Sequence, residues 1–279
     1  MTAHFRRTLL DRATHPYRLA GPFAWHFSKG KLNADPVFFG LLEHGLIPDA
    51  TRLIDLGCGQ GLLASWLLEA RAMYNSGVWP AHWPAAPKVE NIWGLELMPR
   101  DVERARAALD DRAQFAQGDI RTADFGKADV AIILDVLHYI SYEAQEDVLR
   151  RIRAALPTGG TFITRIGDAA GGLPFHYSNW VDRTVFFLRG HGSYKVYCRP
   201  LEDWLEVLRR NDFAVEPLPM HQGTPFCNVM LIAKAIQPKN DTINVPNPTE
   251  WAARARAGAA SFGVVDPVFQ PSPPIIPAA

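Results

Sequence analysis

Apolar residues recur along this chain in two rhythms, and their succession predicts alternating strands and helices. Residues 53–56 are a short apolar run that ends in Gly57, Gly59 and Gly61 and passes straight into residues 62–72, where Leu63, Trp66, Leu67 and Ala70 share one helical face. Residues 91–96 read as a second strand, 99–109 as a helix with Pro99 near its first turn, and 112–116 as a third strand. The almost unbroken apolar run 128–134 predicts a strand buried on both faces. An amphipathic helix over 142–156 follows, with Val148, Leu149, Ile152 and Leu156 inward; Pro157, Gly159 and Gly160 stop it before strand 161–166. Helix 200–211, carrying Trp204, Leu205 and Leu208 on one face, and two successive strands, 213–218 and 228–235, complete the pattern. Strands alternating with helices in this way predict an α/β fold.

Four stretches break the rhythm. Residues 1–12 carry charges throughout and show no apolar core segment; residues 17–27 then gather aromatic rings around a Gly-Pro break, ahead of a helix-like 35–44. This N-terminal part, 1–49, is expected either as an aromatic lid or as a helix pair packed on the sheet edge. Residues 74–90, with Pro80, Pro84, Pro87, Trp79 and Trp83, read as an inserted loop whose tryptophans cover an edge or a partner. A polar and aromatic stretch, 167–199, follows the fifth strand. The proline-rich tail 237–279 reads as an arm outside the main domain of 50–236, loosely packed or wrapped on a second subunit.

Composition narrows the class. The chain has 279 residues, 48% of them hydrophobic, enough for one α/β domain plus additions. Its 29 basic and 29 acidic residues cancel, so no general attraction to nucleic acid or an anionic membrane is expected. Cys58, Cys198 and Cys227 stand far apart, without a disulfide framework or metal-ligand spacing, and no run reaches the ~20 apolar residues of a bilayer span. A cytoplasmic protein acting on a small molecule, as monomer or homodimer and without a metal, is the expectation.

The chemistry concentrates at residues 55–61, Asp-Leu-Gly-Cys-Gly-Gln-Gly. Alternate glycines admit positive φ and let the backbone approach a ligand, while the helix N-terminus beyond offers free N–H groups. A dinucleotide fingerprint would put its third glycine at position 62, which is Leu62, so the spacing argues against a pyrophosphate cradle. With Asp55 two residues before the first glycine, the stretch resembles motif I of class I S-adenosylmethionine-dependent methyltransferases. Glu96, at the tip of the second strand, resembles the family's ribose acceptor, and the proline-rich insertion accounts for its distance from motif I. Gly118-Asp119-Ile120 resembles the adenine-binding turn, and Asp135 to Ile140, after the fourth strand, resembles motif IV.

That resemblance implies a doubly wound, mostly parallel seven-stranded sheet with helices on both faces and an N-terminal helical cap. It further implies S-adenosylmethionine as cofactor, held by Asp55, Gly57, Cys58, Gly59, Gly61, Glu96, Leu97, Asp119, Ile120 and Asp135. The activity implied is methyl transfer to oxygen or carbon of a small apolar or aromatic acceptor. Tyr17, Arg18, Trp25, His26, Tyr139, Arg165, His176 and Tyr177 are the candidate acceptor contacts. Residues 17–32 are loosely similar to methyltransferases of bacterial pigment and polyketide-type pathways. His138 is the candidate general base, an imidazole near pKa 6.5 just past the fourth strand, with His26, His176 and His191 as rivals. A non-catalytic cofactor-binding scaffold or sensor, and a nucleotide-dependent oxidoreductase, stay open as alternatives.

Overall fold

The computed structural model describes residues 2–169, 196–220 and 228–238. The elements, in chain order, are α1 (Thr2–Thr14), α2 (Pro22–Ala34), α3 (Pro36–Glu43), β1 (Ala50–Leu56), α4 (Leu62–Asn75), β2 (Val89–Glu96), α5 (Pro99–Leu109), β3 (Gln114–Gln117), β4 (Val130–Leu134), α6 (Tyr142–Ala155), β5 (Thr161–Gly167), α7 (Leu201–Arg210), β6 (Phe213–Pro219) and β7 (Asn228–Ala235). Their sheet runs β3-β2-β1-β4-β5-β7-β6. The β1–β5 pairs are parallel, and β7 runs antiparallel to both β5 and β6. The predicted doubly wound, seven-stranded, mostly parallel sheet is therefore present. Strand order reverses between β1 and β4, and in such a sheet ligands sit beyond the strand ends at that point.

Two cores flank the sheet. On one face α6 and α7 bury Val148, Leu149, Ile152, Trp204, Leu205 and Leu208. On the other, α4 and α5 share a core with α1 to α3, centred on Trp66, which takes the edges of Phe38 and Phe39 and donates from Nε1 to the Phe38 carbonyl at 2.8 Å. β4 lies under both layers, which is why its sequence is apolar without alternation.

The first helix belongs to the expected N-terminal helical cap. Its charges hide a narrow stripe of Phe5, Leu9 and Ala13, spaced by four and fully buried or nearly so against α4. The insertion after α4 completes that contact: Phe5 packs perpendicular to Trp79 and Trp83, with ring centroids 5.3 and 5.2 Å apart. A short 3-10 turn, His15–Arg18, leads from α1 to Gly21, whose φ of 98° lets Pro22 open α2. Asp35 then caps α3, accepting from the Val37 N–H at 3.1 Å.

Candidate functional site

The glycine turn closes the carboxyl end of β1. Gly57, Gly59 and Gly61 have φ of 80°, 55° and 74°, the left-handed region that side chains resist. The N–H groups of Gly57 and Cys58 both donate to the Leu95 carbonyl, at 2.7 and 3.1 Å, tying the turn to β2. The three glycines have different reasons. A Cβ on Gly57 would strike Val136 and one on Gly61 would lie 2.7 Å from the Phe115 ring, whereas a Cβ on Gly59 would meet nothing within 4 Å. The outer two are needed by packing; the middle one faces open space. Beneath the turn the buried Tyr17 hydroxyl donates to the Gln60 carbonyl at 2.9 Å. Burial, then the nearby Cys58 and Asp55, push the Tyr17 pKa up, so it remains a donor.

Carboxylates mark successive strand ends. Asp55 is buried, and burial first, with Glu96 second, pushes its pKa up to about 7. Cys58 lies beside both acids, and burial followed by Asp55 raises its thiol well above the ordinary value. Glu96 accepts from the N–H groups of Gly59 and Met98, each at 2.9 Å, which fixes its carboxylate at the rim of the turn. Two accepted bonds leave about half of that carboxylate's lone pairs available. Leu97 beside it is exposed. Asp119 is held by Arg121, whose hydrogen bonds lower its pKa, while Ile120 is buried beneath the sheet.

Opposite the glycine turn stands a second group of charges. Arg165 of β5 is almost fully buried and binds two carboxylates at once, Asp135 at the end of β4 and Asp35 between α2 and α3. Its Nε donates to Asp135 Oδ1 and its Nη2 to Asp35 Oδ2, each at 2.7 Å. Lys31 of α2 completes the group, its Nζ 2.6 Å from Asp35 and 3.6 Å from Asp135. Burial alone would raise the acids, but Arg165 and Lys31 hold Asp35 and Asp135 below the usual carboxylate range. Burial alone would likewise lower Arg165, and the two acids more than reverse it.

Between these walls lies a cavity of about 130 Å³, lined by Asp55, Gly57, Cys58, Gly59 and Gln60 on one side and Phe27, Lys31, Val37, Phe38, Leu134, Asp135 and Arg165 on the other. Asp55, Gly57, Cys58, Gly59, Asp135 and Arg165 thus meet as one site. His138 borders the charged group: burial lowers its pKa to about 4, although Asp135 pulls it upward. Its ring lies 4.0 Å from that of Tyr139. Tyr17 sits under the turn rather than in the cavity, and Arg18 of the 3-10 turn lies over Trp25 of α2, which is half-buried against the core beside His26; none of the three lines the cavity. His176, Tyr177 and His191 lie outside the described residues. So do Cys227 and the tail beyond 238.

Lys31, Asp35, Phe27, Val37 and Phe38 are site residues that the sequence reading did not single out. Their one local signal is the spacing of Lys31 and Asp35, four apart, with Asp35 ahead of Pro36 as a helix cap. Among the described residues no group of three or more His, Cys, Asp or Glu could hold a metal, and no helix is long and apolar enough to cross a membrane.

Residues 54–162, which run from the end of β1 to β5, match the family described as a methyltransferase domain. Residues 54–162 therefore carry a methyltransferase domain. Over 129 residues it is 28% identical to a carboxy-S-adenosyl-L-methionine synthase of Chromohalobacter salexigens, covering 44% of this chain and 43% of that one. Over 74 residues it is 32% identical to the chemotaxis protein methyltransferase Cher2 of Pseudomonas putida, covering 26% and 27%. The chain thus spans less than half the length of either relative. Among solved structures, an O-methyltransferase family protein from Burkholderia thailandensis shares the fold of this methyltransferase domain, with a TM-score of 0.55 at 18% identity over 79% of this chain and 62% of that one.

Proposed function

We propose that this chain binds S-adenosylmethionine and transfers its methyl group to oxygen or carbon of a small, apolar or aromatic acceptor, of the kind found in pigment or polyketide-type pathways. The observation that carries the reading is the open space over Gly59, framed by Asp55 and Glu96, on a turn whose other two glycines are fixed by packing. The spare acceptor capacity of Glu96 suits two ribose hydroxyls, and buried Asp55 suits the cationic methionine end of the cofactor. In this reading the N–H groups of the turn, Leu97, Asp119 and Ile120 complete the cofactor contacts, Asp119 by releasing Arg121.

When bound, the cofactor supplies an electrophilic methyl group: the acceptor's electron pair forms the new bond, the carbon–sulfur bond breaks with its pair to sulfur, and S-adenosylhomocysteine leaves. The protein's part is alignment, exclusion of water and removal of the acceptor's proton. Phe27, Val37, Phe38 and Leu134 offer an apolar bed beside the charged wall. His138, neutral at pH 7, is the proposed proton acceptor. With its pKa at about 4, taking a proton from a phenol of pKa ~10 is uphill by ~8 kcal/mol unless a neighbouring cation favours the phenolate.

Calorimetry with S-adenosylmethionine, S-adenosylhomocysteine and NAD tests the reading. Binding of the first two without the third is the expected result, followed by methyl transfer in a screen of phenols, carboxylates and amines. Glu96→Ala should weaken cofactor binding by ~1.5 to 3 kcal/mol, as for a hydrogen bond to a charged group. Preference for NAD would overturn the reading in favour of an oxidoreductase, and cofactor binding without turnover on any acceptor would favour a scaffold or sensor.

A further inference from the structure

We propose that Lys31 is the acceptor-binding cation of this pocket, and that the acceptor is a molecule with an ionisable hydroxyl, a phenol or an enol, whose oxygen is held as the anion by the Lys31 ammonium. This rests on the methyl-transfer reading for its place in a reaction, but its physical basis is the charged wall itself.

The two cations of that wall are used differently. Arg165 spends four of its five N–H donors, two on each of Asp35 and Asp135, and only 3% of its side chain is exposed, so little of it is presented to a ligand. Lys31 has three N–H donors. One is engaged by Asp35 at 2.6 Å, while Asp135 at 3.6 Å lies past hydrogen-bond reach. Lys31 is also 38% exposed and lines the cavity. Arg165 and Asp35 therefore position the ammonium, and Lys31 is the cation with exposed donor capacity left for a ligand.

Charge balance selects the ligand. The groups facing Lys31 are Asp35 from the cap, Asp135 from β4 and Arg165 from β5, with His138 beyond Asp135. Two carboxylates against two cations sum to zero in this wall, His138 adds nothing at neutral pH, and Asp55 across the cavity, with its pKa at about 7, adds only negative charge. A cationic acceptor would have to displace Lys31. A hydroxyl enters neutral, and the N–H donors that Lys31 has left over from Asp35 favour its ionised form there, which narrows the proton-transfer gap left by the low basicity of His138. The same phenolate activates either its oxygen or its ring carbon.

The test uses 4-nitrophenol, whose anion is yellow, titrated in the presence of the 279-residue chain without cofactor. The wild type should bind it and lower its apparent pKa by about one unit. Lys31→Met should abolish the shift, and Lys31→Arg, which keeps the charge, should retain most of it. Asp35 keeps its Arg165 partner in both variants, and thermal melting checks that they fold. Failure of the wild type to bind the probe, or a shift that survives in Lys31→Met, would overturn the assignment. S-adenosylmethionine affinity, measured separately, should be unchanged in Lys31→Met; a parallel tenfold loss would make Lys31 a cofactor contact and overturn it too. A wild type that binds no S-adenosylmethionine would sink the methyl-transfer reading while leaving the probe result to stand or fall by itself.

Discussion

One wall of the pocket is made of backbone, the turn of residues 57–61, and the other of side chains delivered by the cap, β4 and β5. The first is local: nine consecutive residues contain the strand end, the three glycines and the acid, and positive φ values make the conformation a property of the sequence itself. The second is assembled over distance, Asp35 and Arg165 being 130 residues apart. A backbone wall binds what the fold always offers. A side-chain wall can be altered one residue at a time while the sheet stays as it is, and this is where specificity for the acceptor can reside.

The comparison can be broken most forcefully at Arg165. Arg165→Met removes the shared partner of Asp35 and Asp135, leaving two acids in a buried site with only Lys31 to answer both. Breaking a buried ion pair from one side costs ~3–5 kcal/mol, and that loss should appear in urea unfolding as a lower midpoint at unchanged slope. A loss below ~1 kcal/mol would show that water replaces the guanidinium and that the wall is not held by it.

The backbone wall answers to pH. Asp55, with a pKa of about 7 against 3.8, holds a proton in the folded protein that the unfolded chain has released, so its contribution is fully present below pH 3.8 and is lost as pH rises to about 7. His138 works oppositely: its lowered pKa makes stability rise with pH between about 4 and 6.5, so the wild-type curve alone mixes the two. The difference between the wild type and Asp55→Asn isolates the aspartate. Between pH 5 and 8 the wild type should lose ~3 kcal/mol relative to the variant. Parallel stability curves would mean that Asp55 is ionised throughout.

Gly59→Val sharpens the contrast among the glycines. It should cost the fold only the ~1–2 kcal/mol of a side chain at positive φ, yet weaken S-adenosylmethionine binding at least a hundredfold, ~2.7 kcal/mol, because the added atoms occupy the open space above the turn. Normal affinity in a folded Gly59→Val would remove the cofactor from that wall. The smallest effect is expected for Tyr17→Phe, which deletes one buried donor to the Gln60 carbonyl: ~1 kcal/mol in thermal or urea unfolding, with a comparable loss in cofactor affinity. A loss of stability with affinity untouched would make Tyr17 a packing residue alone.

The same contrast explains what could be read from the sequence. The glycine turn, the strands and the acids Asp55 and Glu96 were legible because each is decided within a few residues, and a continuous apolar run such as 130–134 can hardly be anything but a buried strand. Helix α1 was hidden because Phe5, Leu9 and Ala13 make a stripe one residue wide among charges, and only docking on α4 gives it a partner. The aromatic segment was legible as chemistry and not as direction. Which side of α2 meets the cavity is set by tertiary packing, and it turned Phe27 and Lys31 toward the cavity, while Trp25 packs half-buried against the core under Arg18 of the preceding turn and His26 lies beside it. Arg165 was visible as a polar residue on an apolar strand, but nothing near it in the chain announced Asp35.

The seating of Phe5 between Trp79 and Trp83 also sets an order of events as the chain is made. Synthesis delivers α1 ahead of its docking surface, which is finished only once α4 and the loop after it have emerged. Until then the stripe of α1 has nothing of its own to cover it, so this helix settles late although it is made before the sheet.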